Sequence, residues 1–210
     1  MKIAVISDIH GNLPALEAVV SKIRCVDAVI CLGDVVNYGP WNDECLELLQ
    51  TLPKITLLEG NHEALFLGKE PLENELILVQ QFYHASFPRF TRRDLIMNLP
   101  NEFTLGGYLY THTLDGRKIF ADTDVVPPTD CFIGHTHHAF HVERQRRQLV
   151  NPGSVGQNRK ALNIACYALF DTATGEVVLE QTIYPIHRLF SEMKALNYPP
   201  ECLAYYQSKL

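Results

Sequence analysis

The sequence predicts an α/β fold, and three observations carry that expectation. Residues 2–6 are an apolar, partly β-branched run that stops at Ser7-Asp8, the pattern of a strand buried on both faces. A capped amphipathic helix follows at once. The same unit of strand, loop and helix then begins again near Asp27.

Taken in order, the first strand delivers Asp8 at its C-terminal end. Asn12 is placed to cap a helix whose first turn holds Pro14, and Leu13, Leu16, Val20 and Ile23 recur at helical spacing. Residues 27–32 form the second strand, Gly33-Asp34 ends it, and Cys45, Leu46, Leu48 and Leu49 supply the apolar side of the next helix. A third strand at residues 54–58 runs into Glu59-Gly60-Asn61-His62. Three successive strand ends thus bring polar residues to one edge, which in an open α/β sheet is where ligands bind.

Residues 64–98 read as a helical segment, with Leu76, Val79, Gln80 and Tyr83 at steps of three and four. Past Pro100 the pattern becomes β-rich, with short strands expected at 108–111, 131–133, 139–143 and 164–170. Asp171-Thr172-Ala173-Thr174-Gly175 reads as a hairpin turn before a strand at 176–183. From Pro185 a short helix or irregular tail is expected. At 210 residues, with no linker or low-complexity segment, the chain is read as a single domain over 1–210.

Composition narrows the function classes. Hydrophobic residues make up 47% and charged residues 20%, the profile of a globular protein. No apolar run is long enough for a membrane span, and the one at the N-terminus is too short for a signal peptide. Six scattered cysteines (Cys25, Cys31, Cys45, Cys131, Cys166, Cys202) form no C-x-x-C pair and are read as reduced and structural in a cytoplasmic protein. A net charge of -6 argues against nucleic acid as a partner. Arg144, Arg146 and Arg147, the one dense basic cluster, are read as a solvated hairpin. The sequence sets no oligomeric state.

Five short segments carry chemistry. Asp8-x-His10 offers an oxygen and a nitrogen ligand that can aim at one ion. Gly33-Asp34 adds a carboxylate able to bridge two cations, with a glycine that permits a tight turn. Gly60-Asn61-His62-Glu63 adds a neutral amide oxygen beside a titratable histidine. His112 ends a strand. Gly134-His135-Thr136-His137 places two histidines two residues apart, where both can face one pocket; His138 and His141 are expected to stay outside it. Taken singly, each segment is equally a cap, a turn or a satisfied histidine.

In order, these segments resemble the calcineurin-like metallophosphoesterase superfamily, whose pattern is D-x-H, G-D, G-N-H-[DE], a later H and G-H-x-H. The flanks, including Gly33-Asp34-Val35-Val36-Asn37-Tyr38-Gly39-Pro40 and Asn151-Pro152-Gly153-Ser154-Val155-Gly156, resemble its compact bacterial phosphodiesterase branch. The resemblance implies a four-layer α/β/β/α sandwich of two mixed sheets flanked by helices. It implies that Asp8, His10 and His137 hold one metal ion, that Asn61, His112 and His135 hold a second, and that Asp34 bridges them. His62 is then the catalytic histidine that contacts the phosphate and helps protonate the leaving group, with Asp34 and Asn61 beside it at the reacting centre and Glu63 in position to orient it. The implied reaction is hydrolysis of a phosphate ester, on a small phosphorylated molecule, by in-line attack of a hydroxide activated between two cations about 3.5 to 4 Å apart. Mixed oxygen and imidazole ligands without thiolate suit Mn, Fe, Zn, Ni or Co.

The chain departs from the family at Thr113, where glycine is usual, so a narrower pocket is expected. The stretch 113–130 is short and contains Pro127-Pro128, so a reduced helix is expected there. Residues 64–98 are expected to wall the pocket, with Tyr38, Trp41, Asn158 and Arg159 as further candidates for substrate contact. Two alternatives remain in view: a nuclease, disfavoured by the net negative charge, and an inactive scaffold, disfavoured because all seven ligand positions and His62 hold competent residue types.

Overall fold

The computed structural model describes residues 1–210. The first half runs β1 (Lys2–Ile6), α1 (Leu13–Lys22), β2 (Ala28–Cys31), α2 (Asn42–Gln50), β3 (Ile55–Leu57), α3 (Asn61–Phe66) and α4 (Ile77–Ser86). The second half runs β4 (Glu102–Leu105), β5 (Tyr108–Thr111), β6 (Asp130–Phe132), β7 (Phe140–Arg144), β8 (Arg147–Asn151), β9 (Ile164–Asp171), β10 (Glu176–Ile183), α5 (Ile186–Ala195) and α6 (Pro200–Gln207). Ten strands form two mixed sheets of five, in the orders β10-β9-β1-β2-β3 and β4-β5-β6-β8-β7.

The continuous apolar character of β1 follows from its place between two cores. Ile3 and Val5 join Ile30 and Leu32 from the first sheet and Tyr108, Tyr110, Phe132 and Val150 from the second, filling the space between the sheets. Ala4 and Ile6 point the other way, to Leu16 and Val19 of α1 and Cys45, Leu46 and Leu49 of α2. A side-chain period of two therefore serves both faces with apolar residues. Asn12 caps α1, its side-chain oxygen accepting from the Ala15 N–H.

Several elements differ from the sequence reading. The 64–98 segment is helical but broken: α4 is its only long helix, and short 3-10 turns occupy Leu72–Asn74, Phe87–Arg89 and Arg93–Leu95. The tail holds two helices, α5 and α6, which pack with α4 and Tyr38 into a separate apolar cluster. Strands β4 and β8 were absent from the expected set. β8 emerges because Arg147–Asn151 pairs antiparallel with β7 across a turn at Gln145 and Arg146, both at positive φ. That turn is the exposed tip of the expected basic hairpin. Residues 112–129 form no helix, and Ile119 from this segment covers Cys131, Ile133, Phe140 and Leu149 on the outer face of the second sheet. No helix is long and apolar enough to cross a membrane.

Function sits where the parallel strands end. β1, β2 and β3 run parallel in one sheet, and β5, β6 and β8 in the other, so their C-terminal ends converge on one rim.

Candidate metal centre

Asp8 and His10 follow β1, Asp34 follows β2, Asn61 and His62 open α3 after β3, His112 follows β5, and His135 and His137 follow β6. All seven expected ligands and His62 therefore meet at the rim. Their side-chain ligand atoms gather into three overlapping groups: Asp8 with His10 and His137; His10 with Asp34 and His62; and Asp34 with His112 and His135. His138 and His141 lie outside these groups.

The backbone is bent to achieve this. Asp8, His10, Asp34, His135 and His137 all adopt positive φ, between 50° and 71°, as do Asn37 and Tyr38 beside them. Left-handed backbone costs non-glycine residues about 1–2 kcal/mol each, so its concentration at one rim marks strain held for a purpose. Gly60 and Gly134 serve through close approach. A Cβ at Gly60 would collide with the Asp34 carboxylate, and one at Gly134 with the Ser7 hydroxyl.

Hydrogen bonds to backbone carbonyls fix the imidazole tautomers. His10 Nδ1 lies 3.2 Å from the Val36 oxygen, His137 Nδ1 2.9 Å from the Gln157 oxygen, and His112 Nδ1 3.0 Å from the Leu32 oxygen. A carbonyl only accepts, so each Nδ1 carries a proton, and in the neutral, metal-binding form of each ring Nε2 presents a bare lone pair. Those lone pairs face each other. His10 Nε2 is 3.2 Å from His137 Nε2, which is 3.3 Å from Asp8 Oδ1. Asp8 Oδ1 is fully enclosed and has no hydrogen-bond partner. On the other side His112 Nε2 lies 3.1 Å from both Asp34 Oδ2 and Asn61 Oδ1, and His135 Nδ1 lies 2.9 Å from the same Asn61 oxygen. Buried acceptors converging without protons repel one another unless a cation sits among them. The donor set therefore fits divalent metal ions, with nitrogen and oxygen atoms and no sulfur.

In the metal-free chain, protons partly take the cations' place at Asp8 and His112. Burial lifts the Asp8 carboxyl to about 7. Burial opposes charge on His112, but the neighbouring Asp34 carboxylate outweighs it and raises His112 to about 9. Asp34 is held well below the usual carboxylate range, its burial overcome by His112 and His62. Burial pushes His10 and His137 well down, and His135 down to about 4.

His62 differs from the ligands. Asn37 Oδ1 accepts from the Tyr38 N–H at 2.8 Å, so its amide nitrogen faces His62 Nδ1 at 3.0 Å and donates to it. The neutral ring then carries its proton on Nε2, and burial lowers its pKa. The His62 backbone N–H also donates to Asp34 Oδ1 at 2.9 Å. Glu63 does not orient His62, contrary to the sequence reading. It folds back to accept from the N–H groups of Asp34, Val35, Val36 and Gly60, at 2.7, 2.8, 3.1 and 2.9 Å. Helix geometry explains the difference: residues adjacent in a helix point in different directions. Asn37, which no local sequence pattern marks out, takes that place.

A cavity of about 350 Å³ opens above the ligands. Tyr38 and Arg159 line it, as do Asn74, Glu75, Leu76, Leu78 and Val79 from the helical segment and Tyr205 from α6. Trp41 lines a different depression, and Asn158 turns to the N–H groups of Lys160 and Ala161. Thr113 does not narrow the main cavity; it lines another hollow, next to Thr111 and His112.

Residues 1–175 match the calcineurin-like phosphoesterase superfamily domain. The chain belongs to this superfamily. An uncharacterized protein of Methanocaldococcus jannaschii is 30% identical, the match covering 96% of this chain and 95% of that one. Among solved structures, a metallophosphoesterase from Sphaerobacter thermophilus is 26% identical over the full length of both chains, with a TM-score of 0.82. A hypothetical protein of Pyrococcus horikoshii shares the fold with a TM-score of 0.85 at 17% identity, covering 98% and 97% of the two chains. Superfamily membership supports hydrolysis of phosphate esters as the general activity and metal binding as its basis. The two-sheet architecture is that of the metallophosphoesterases.

Proposed function

We propose that the protein hydrolyses phosphate esters of a small phosphorylated molecule with two bound metal ions. Asp8, His10 and His137 would hold one ion, Asn61, His112 and His135 the other, and Asp34 would lie between them. The observation that supports this reading is the convergence of bare imidazole nitrogens on Asp8 Oδ1 and Asp34 Oδ2, with tautomers fixed by three backbone carbonyls. Such ions, when bound, supply a water of lowered pKa and a charge clamp on the phosphoryl oxygens. The chain's own residues do the rest. His62, kept neutral with its proton on Nε2 by Asn37, lines the cavity and donates to the phosphate and its leaving oxygen. Arg159 adds a positive wall, and Leu76, Leu78 and Val79 give the ester group an apolar surface that excludes water.

The test is hydrolysis of bis-p-nitrophenyl phosphate and p-nitrophenyl phosphate by the chelated chain with and without added Mn²⁺. Turnover should appear only with metal, and its absence with both esters would sink the proposal. Elemental analysis separates the roles: His62→Ala should keep its metal and lose most turnover, whereas Asp34→Asn should lose metal, because a neutral amide cannot replace a carboxylate between two cations. Equal metal loss in both variants would refute the division.

A further inference from the structure

A second cavity, of about 210 Å³, adjoins the first and is lined by Lys118, Phe120, His135, Thr136, His138 and Arg159. Lys118, His135 and Arg159 line both cavities, so the two meet beside a proposed metal ligand. We propose that Lys118 and Arg159 form a subsite for a second phosphate, and that the substrate class is phosphoanhydrides, in which a second phosphate adjoins the scissile one. This rests on the phosphoesterase reading above.

Both cations lack anionic partners. Neither Lys118 nor Arg159 joins any of the ion pairs in the molecule. The half-buried Arg159 is held by one bond, from Nη1 to the Tyr205 hydroxyl at 2.9 Å. Its Nε lies 3.4 Å from His137 Nδ1. That nitrogen already donates its proton to the Gln157 carbonyl, so Arg159 Nε–H has no acceptor there. A partly desolvated guanidinium with unused donors is a site for a planar or tetrahedral oxyanion. Charge is also distributed unevenly. In a chain of net charge -6, the second cavity has no carboxylate in its lining, while Asp34 and Glu75 line the first. Glu75 therefore disfavours an anion on its own wall and leaves the Lys118 and Arg159 side for it. Beyond the two cations, the edge-to-face pair of Phe120 and His138, ring centroids 5.5 Å apart, floors the cavity for the rest of the substrate.

Because His135 lines both cavities, the subsite suits a second phosphate that directly follows the first. In the reaction a water oxygen bonds to the phosphorus at the centre, and the bond from that phosphorus to the bridging oxygen breaks. The bridging oxygen leaves on the second phosphate with the bonding electron pair and takes up a proton. Lys118 and Arg159 offset the charge that this departing phosphate gains. Tyr205, the residue that holds Arg159, lies in α6, beyond the residues 1–175 that match the superfamily domain. The subsite is thus partly built from a helix outside the segment that matches the superfamily domain.

Titration calorimetry of the Mn²⁺-loaded chain with ADP and with AMP tests the proposal. ADP should bind at least about tenfold more tightly than AMP. Lys118→Ala, an exposed position, should bring the two within about threefold, while Lys118→Arg should preserve most of the preference. Arg159→Gln, checked for folding by circular dichroism, should weaken ADP more than AMP. A preference that survives Lys118→Ala would remove Lys118 from phosphate binding and overturn the subsite, as would a parent chain that does not distinguish the ligands. The outcomes separate from the function itself. A Lys118-dependent preference without ester turnover would keep the subsite and sink the hydrolase, and turnover without preference would do the reverse.

Discussion

Glu63→Gln keeps the shape of a fully buried side chain and halves its capacity to accept hydrogen bonds. The two carboxylate oxygens take four amide N–H groups at 2.7 to 3.1 Å, Oε1 serving Val35 and Val36, and Oε2 serving Asp34 and Gly60. Glutamine offers one oxygen, so two amides would meet an NH₂ group instead. Hydrogen bonds to a charged acceptor contribute about 1.5–3 kcal/mol each, so losing two costs about 3–6 kcal/mol. Part of this is returned, because glutamine removes a buried charge that burial and Asp34 already make costly, raising the Glu63 carboxyl to about 7. The lower end, about 3 kcal/mol, is therefore the expected loss. It is a large share of a domain's usual 5–15 kcal/mol, in which range the total is roughly expected to fall. Urea unfolding of the chelated protein at pH 8, followed by circular dichroism, measures it. The same substitution frees the backbone that presents Asp34, so Mn²⁺ affinity should fall about 10- to 100-fold. A stability loss below about 1 kcal/mol with unchanged affinity would refute the view that Glu63 moulds the Asp34 turn.

Two further outcomes follow from the same geometry. Asn37→Ala removes the donor that sets the His62 tautomer; kcat should fall about 10- to 100-fold with metal content unchanged, and a parent-like kcat would exclude Asn37 from positioning. The stability of the chelated chain should fall as pH rises from 6.5 to 9, because His112 has a folded pKa of about 9 against 6.5 for the free side chain. A raised pKa stabilises below the unfolded value, and that contribution is lost as pH climbs through the folded value. Asp8 has the same sign, its loss completed near 7, while the histidines held low act only below 6.5. Mn²⁺ should oppose the trend, since metal binds the deprotonated ligands. Melting temperatures at both pH values, with and without metal, check this, and a chelated chain that gains stability toward pH 9 would contradict the pairing of His112 with Asp34.

Much of the site was legible in the sequence because its signals are local. A strand that ends in Ser7-Asp8 or Gly33-Asp34 declares itself through the change from β-branched apolar residues to polar ones, and Gly134-His135-Thr136-His137 carries its spacing on its face. The order of such segments along the chain gave the family resemblance, and with it the pairing of two sheets. Residues whose role depends on direction were not legible. Whether Glu63 or Asn37 reaches His62 depends on the turn of α3 and on the positive φ of Asn37, and whether Thr113 narrows the cavity depends on which way the chain leaves β5. Lys118 and Tyr205 lie 87 residues apart and meet the site only through a helix-free loop and the packing of α6 on α4. The sequence by itself determined which residue types stand at the strand ends, since periodicity and composition are properties of neighbours. The tertiary structure alone decided which lone pairs face one another, because tautomers are set by carbonyls that Val36, Leu32 and Gln157 bring from elsewhere in the chain.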